Sequence, residues 1–579
     1  MGLVLAILSF FSAVFLPGAI AYKLYCRRFG ISINISLLIV ASFIISLCFN
    51  LYLVYMLVLF GIYTQNVVIV IFIIEIILFL YLFFFEIKNG IPLPCVIKSN
   101  NYFLQFLFLL GILISLYVFN NVLKADIFYA WDAVVSWNRW GTEWAFGQLV
   151  LNEGGYSQLY PILLSLGYVA SQKISSFQGI GVGIYWYFAF VGIVASIFLF
   201  NKDSIKGSIF GITLSVITYI VFFRLSNEFF IGYVDMPVAM IILISALCLL
   251  KVSLMETNKI DKNMLFFYLI LGAFAAGIST EIKQSGLFWC VVYIIALFYI
   301  KRKQKIDIKI IWICIAIIAI FSAPWIIIAI YKKLILNIDS TNASFVMDRI
   351  FLGKGYGDRL LDACSSYKNI TILFVLSLFS LRLPNKIFGF FAIFGFLYFI
   401  FWGTHLSYDL RNLQASLPLM IISLSAVIVY YAKFYNAILA FLYKRIALIF
   451  VCFIAIGLIV ASFSAENILK AEYRKKMNLG DRHANEMVFE TFKNKGKKIV
   501  LTSNQLLAFT PDFDRKYYKL YHFGKHIKDG EFEKYATNFK KEQGSFYILL
   551  PNSELHRYEN FLSNKTKIGS TNQYTLFEY

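Results

Sequence analysis

Long apolar runs broken by short basic segments set the pattern of most of this chain. The runs 32–60, 66–86, 102–121, 207–224, 231–250, 264–280, 285–300, 310–331, 385–402, 412–432 and 446–463 carry almost no charge. Roughly 18 or more such residues cross the hydrocarbon layer of a bilayer as a helix. Backbone groups in lipid must be satisfied within the segment, so repeated runs predict a bundle of helices. Strand-period alternation is absent from them, which argues against a barrel. Including the N-terminal run and the shorter run 369–383, the expectation is an all-α polytopic membrane bundle of about 13–15 transmembrane helices. Between 157 and 200 two apolar stretches compete for one crossing. The shorter, YPILLSLGYVASQKISS, reads as a partial or interfacial helix.

The pattern changes near residue 465. Charge rises, and GKKIVLTS and GSFYILLP read as short buried strands. SELHRYENFLSN reads as an amphipathic helix and QYTLFEY as an alternating closing strand. This predicts a small α/β domain over 465–579. The expected division is additional N-terminal helices in 1–100, a membrane core in 101–464 with an outer loop at 122–160, and the C-terminal domain.

Charge gives the bundle a direction. The chain has a net charge of +20, and most of its Lys and Arg lie in short loops, where positive charge marks the cytoplasmic side. KLYCRR at 23–28 and KRKQKIDIK at 301–309 are the anchors. No basic stripe on a soluble fold is present, which excludes a nucleic-acid binder. The N-terminus lacks a basic n-region and reads as an uncleaved first helix. Eight cysteines show neither CxxC nor Cys/His ligand spacing, so neither a disulfide framework nor a zinc site is expected, and the sequence leaves a divalent metal open. His522 and His526, four apart in HFGKH, have no third partner and read as a solvated helix face.

With these anchors, several polar groups fall together at the outer rim. DIFYAWDAVVSWNRW contributes Asp126, Tyr129, Trp131, Asp132, Trp137 and Arg139. Asp235 opens the run 231–250, STEIKQSG holds Glu281 and Lys283, and a late loop holds His405, Asp409 and Arg411. Ionisable groups at membrane helix ends are costly and are functional candidates by default. A carboxylate there takes a proton from an acceptor hydroxyl, and Arg or Lys holds a phosphate leaving group. Plainer roles exist for each. Asp132 caps a helix, the tryptophans form an interface belt, Asp235 starts a helix, and Glu281 and Lys283 lie in a solvated turn.

Four segments in order resemble the GT-C superfamily of membrane glycosyltransferases, in the branch similar to protein O-mannosyltransferases and the aminoarabinose transferase. They are AWDAVVSW, QLYPILLSLGYV, GYVDMPVAMIILISAL and GAFAAGISTEIKQSGLFW, followed by LRNLQASLPLM. The resemblance spans about 120–430 and implies a GT-C-like fold. The family's compact Thr-Lys reads here as Thr280-Glu281-Ile282-Lys283. By that resemblance the protein inverts the anomeric centre while moving a sugar from a polyprenyl-phosphate donor to an extracytoplasmic acceptor. Asp132 is then the base, with Asp126 assisting. Arg139, Asp235, Glu281, Lys283, His405 and Arg411 are the candidates for holding donor phosphate or substrate, and Tyr129, Trp131 and Trp137 for sugar or lipid contact. The resemblance implies no certain cofactor, membrane lipids as surroundings, and a bacterial cytoplasmic membrane with the site outside. An O-antigen polymerase or ligase, or a lipid-linked-sugar transporter, is the alternative.

Overall fold

The computed structural model describes residues 2–29, 35–88, 133–150, 156–171, 178–199, 205–224, 233–255, 262–335, 354–407 and 409–431 of the membrane region. In the C-terminal region it describes 483–484, 487–488, 490–493, 495, 498–504, 518–523 and 529–579. The expected crossings at 102–121 and 446–463 lie outside the described residues.

Among the described residues six helices are long and apolar enough to span a membrane, or eight if each of two bent pairs is one span. The first bent pair is α1 (Gly2–Val14) and α2 (Leu16–Phe29), which break by 46°. Pro17 lies in the first turn of α2 and cannot donate to the carbonyl four residues back. The carbonyls of Ser12 and Ala13 are taken instead by Asn50 Nδ2, at 2.9 and 3.2 Å. Asn50 belongs to α3 (Ile35–Leu59), which is followed by α4 (Gln65–Lys88).

A π-helical turn, Ala133–Asn138, runs into α5 (Arg139–Ala145). The short stretch at 157–200 becomes α6 (Leu159–Ser171), with Leu159 to Ala170 all buried. It is therefore an interior helix rather than an interfacial one. Its hydroxyls find partners inside the protein: Ser165 Oγ lies 2.7 Å from Tyr63 Oη, and Tyr168 donates to Asn138 Oδ1. Helices α7 (Gln178–Phe198) and α8 (Ile205–Tyr219) follow.

The centre of the bundle is α9 (Asp235–Leu254), in which every residue from Asp235 to Leu250 is buried. An all-round apolar helix belongs in such a position. It packs on α10 (Lys262–Ile282), which in turn lies against α12 (Ile308–Leu334). The small-residue run GAFAAG allows this approach, as small residues do between membrane helices. A Cβ on Gly277 would stand 2.9 Å from Phe321 Cβ. Between them in sequence is α11 (Gly286–Gln304).

The second bent pair falls in what the sequence presents as a polar loop followed by a span. There α13 (Tyr356–Ser366) and α14 (Lys368–Ser377) meet, the latter extended by a 3-10 turn to Arg382, and they bend by 100°. Helices α15 (Lys386–His405) and α16 (Leu417–Tyr431) complete the described bundle, joined by a 3-10 turn, Leu410–Leu413.

The C-terminal region forms a five-stranded sheet, in the order β2-β1-β3-β5-β4, from β1 (Lys498–Thr502), β2 (Tyr518–His522), β3 (Tyr547–Pro551), β4 (Thr566–Ser570) and β5 (Tyr574–Glu578). Strands β2, β1 and β3 are parallel, and β5 is antiparallel to β3. Side chains alternate between two cores. Val500, Leu549 and Leu576 face one side, while Leu501, Ile548, Leu550 and Phe577 face the other with Phe532 and Ala536 of α17 (Asp529–Gln543). The three expected strands form as read. SELHRYENFLSN is instead a 3-10 helix, Asn552–Tyr558, leading into the single turn α18 (Glu559–Leu562). HFGKH is not a helix at its start: His522 ends β2, paired with Thr502. The i, i+4 geometry assumed for His522 and His526 therefore does not apply, and His526 lies outside the described residues.

Candidate active site

Two tight turns at the same end of the bundle bring the charges together. The first joins α10 to α11 through residues 283–285. Gly286 closes it, donating to the Lys283 carbonyl at 2.9 Å. Only glycine fits there, because a Cβ would lie 2.4 Å from the Ser279 backbone. The turn projects Lys283, whose Nζ lies 2.5 Å from Asp235 Oδ1 in the first turn of α9. Asp235 is favoured there by the helix dipole. The pair is withdrawn from solvent, with side-chain exposures of 16% for Lys283 and 4% for Asp235.

The second turn is Leu410–Leu413. Asp409 caps it, accepting from Arg411 N at 2.9 Å. The same carboxylate accepts from the Arg411 guanidinium, through Nε at 2.8 Å and also through Nη2. Trp402 Nε1 holds the Asp409 carbonyl at 3.0 Å. The guanidinium lies over the Tyr233 ring, 4.0 Å from its centroid. Burial pulls the Arg411 pKa down, but the Asp409 hydrogen bonds and the charges of Asp235 and Asp409 outweigh it, so the group is held above its usual range.

Asn412 ties the turns together. Its Oδ1 accepts from Lys283 Nζ at 3.4 Å, and its carbonyl accepts from Tyr398 Oη at 3.2 Å. Gln414 Nε2 adds a second link, donating to Ser285 Oγ at 2.8 Å. The result is two carboxylates and two cations gathered from the two turns and the start of α9. Of the ammonium's three N–H groups, Asp235 and Asn412 take two, which leaves one for an anionic ligand.

The other expected residues are placed differently. Glu281 lies two residues before Lys283 but points away, fully buried, and accepts from Trp325 N at 2.8 Å. The cause is Pro324 within α12, which interrupts the helical ladder. Tyr52 takes the Ile320 carbonyl that Pro324 cannot reach, and Glu281 takes the N–H beyond it. Glu281 is thus the partner of a broken helix. Arg139 pairs with Glu143 along α5, at 2.9 Å. His405 ends α15, with Nδ1 2.7 Å from Thr404 Oγ1 and its ring stacked on Phe401. Trp137 is buried edge-on to Trp140 and Tyr156. Nearby, Ser157 Oγ donates to the Thr280 carbonyl at 2.5 Å, tying the start of α6 to the end of α10. Asp126, Tyr129, Trp131 and Asp132 lie outside the described residues.

Tyr233, Tyr398, Asn412 and the Gln414–Ser285 link are absent from the residues singled out by sequence. Asn412 had a local signal, since it follows Arg411 directly. Tyr398 had none, being one aromatic among many in an apolar helix.

The architecture matches solved structures. ArnT from Cupriavidus metallidurans bound to undecaprenyl phosphate aligns with a TM-score of 0.50 at 12% identity, over 81% of this chain and 97% of that one. The apo state of the same protein aligns with a TM-score of 0.51 at 10% identity, with the same coverage. The chain has a GT-C fold. No protein-family model matches it, and no curated protein matches it in sequence. At this identity the likeness to the aminoarabinose transferase establishes the fold of a membrane protein.

Proposed function

We propose that this protein is a glycosyltransferase of the extracytoplasmic face of a bacterial inner membrane. It moves a sugar from a polyprenyl-phosphate carrier to an envelope acceptor with inversion. The observation that carries this reading is the convergence of Lys283 and Arg411 beside Asp235, on turns far apart in sequence that Asn412, 129 residues after Lys283, ties together. Support comes from the fold and from the undecaprenyl phosphate bound in the structurally similar ArnT.

The chemistry balances simply. The acceptor hydroxyl oxygen attacks the anomeric carbon, and Asp132 takes its proton, with Asp126 assisting. The bond from that carbon to the phosphate oxygen breaks, and polyprenyl phosphate leaves with the electron pair. The donor phosphodiester carries one negative charge and the departing monoester carries more. Cations fixed beforehand therefore stabilise the leaving group more than the ground state, which is the condition for catalysis. Lys283 is kept in place by Asp235 and Asn412, and Arg411 by Asp409 and Tyr233. The tryptophans around residue 137 offer apolar faces and polar edges for sugar or prenyl chain.

The test is transfer of label from a radiolabelled polyprenyl-phosphate sugar by the purified protein in proteoliposomes. Asp132→Asn is expected to lower the rate by at least about 10²-fold, the lower end for a general base. Full activity in that variant removes Asp132 from the role. Label carried across the bilayer but never onto an acceptor makes the protein a transporter.

A further inference from the structure

Of the two links between the Lys283 turn and the Arg411 turn, one is built at the expense of local stability. Gln414 closes the Arg411 turn, its N–H donating to the Arg411 carbonyl at 3.3 Å. Its side chain crosses to the other turn and donates to Ser285 Oγ at 2.8 Å. Ser285 stands two residues after Lys283, in the turn that Gly286 closes on the Lys283 carbonyl. A short chain of bonds therefore runs from the backbone of Arg411 to the backbone of Lys283. The other link, from Lys283 Nζ to Asn412, is long at 3.4 Å, and it holds only the tip of a flexible side chain.

Both ends of the Gln414–Ser285 bond give something up. Ser285 is the N-cap residue of α11, where a serine oxygen ordinarily accepts from a backbone N–H of the first helical turn. No such bond forms here, and the hydroxyl serves Gln414 instead. Gln414 is fully buried, and its Oε1 has no partner. Turning the amide over would change which atom is unpaired, not remove it. An unpaired amide atom in an interior is unfavourable, and a methionine of similar length would avoid it. Departures from local rules that meet in one place are expected where function, rather than stability, sets the residues.

We propose that Gln414 is a positioning residue: through Ser285 it sets the spacing of the Lys283 and Arg411 turns, so that both cations reach one phosphate group. The inference rests on the phosphate role given to those cations above. Gln414 carries no charge and has no accessible surface, so it acts on a ligand only through the turns. Two cations at a fixed spacing favour a phosphate monoester over a diester, because the monoester carries more negative charge. Loosening the spacing weakens that preference. It also slows the step in which the monoester leaves, with less effect on binding of the diester donor.

The test uses the full-length protein in nanodiscs, with two readouts. The first is binding of farnesyl phosphate, a monoester, against farnesyl methyl phosphate, a diester, by isothermal titration. Wild type is expected to prefer the monoester by at least about tenfold. Gln414→Met is expected to narrow that preference to within about threefold, with a melting temperature equal to or above that of wild type. Ser285→Ala should do the same, and the double variant no more than either single, as for residues that act through one bond. The second readout is transfer: kcat should fall by at least about tenfold in each variant, while KM for the donor changes by less than about threefold. A monoester preference that Gln414→Met leaves intact overturns the proposal. So do additive losses in the double variant, or a fall in melting temperature that tracks the losses, which makes the link structural. A wild type that does not distinguish the two ligands overturns it together with the phosphate role. Binding as expected with no transfer by wild type removes the proposed reaction and leaves the spacing role standing. Ser285→Ala changes the partly exposed end of the link, and it carries the test if Gln414→Met does not fold.

Discussion

Replacing Lys283 by methionine separates what the Asp235–Lys283 pair does for folding from what it does for chemistry. The two charges are 2.5 Å apart, and at an effective dielectric near 20 their attraction is about 6–7 kcal/mol. Withdrawing them from water costs several kcal/mol per ion, so the intact pair is nearly neutral for stability. Removing only the cation is different. It leaves the Asp235 carboxylate 4% exposed without its partner, a loss of about 3–5 kcal/mol. Arg411, whose charge also acts on Asp235, holds the loss toward the lower end. The double replacement Lys283→Met with Asp235→Leu removes both charges and is expected to restore most of that stability. Transfer activity should not follow, because the leaving phosphate has still lost a cation. The assay is reversible unfolding in mixed detergent micelles beside the radiolabelled transfer assay, on wild type, both single variants and the double. A Lys283→Met variant as stable as wild type would refute the buried-pair argument. A double variant that regains transfer would make the pair purely structural and remove Lys283 from donor binding.

Other outcomes follow from the same geometry. Arg411→Lys keeps the charge but loses the guanidinium contacts to Asp409 and its position over the Tyr233 ring. Transfer should fall at least about tenfold, since Lys does not replace Arg at such sites; unchanged kinetics with varied donor would show that these contacts do not matter. Glu281→Leu removes the buried carboxylate that accepts from Trp325 N and should cost about 1–3 kcal/mol. The cost should shrink when Pro324→Ala lets α12 close its own ladder, so equal losses in both backgrounds would argue against the pairing. Gly286→Ala places a Cβ 2.4 Å from the Ser279 backbone, and should shift the Lys283 turn and lower both melting temperature and transfer. A neutral result would mean that the turn relaxes freely. Leu576→Ala removes a fully buried side chain from the C-terminal sheet, and should cost about 2–5 kcal/mol, read by limited proteolysis of that region; unchanged protection would contradict the two-sided core.

The local pattern was enough to read the bundle, because a bilayer demands helices and helices of spanning length leave long uncharged runs. The strands β1, β3 and β5 were legible for a related reason: alternate side chains meet two different cores, so the apolar positions run together. The run Leu159–Ser171 was seen as too short to span, but its burial on every side depends on the helices that surround it. The site divides the same way. Lys283, Asp235 and Arg411 were visible as charges at helix ends, where few charges are tolerated. That Lys283 meets Asp235 across 48 residues, while Glu281 two positions away turns to Trp325, was decided by packing. Successive residues on a helix end point in different directions, and only the neighbouring helices determine what each one meets.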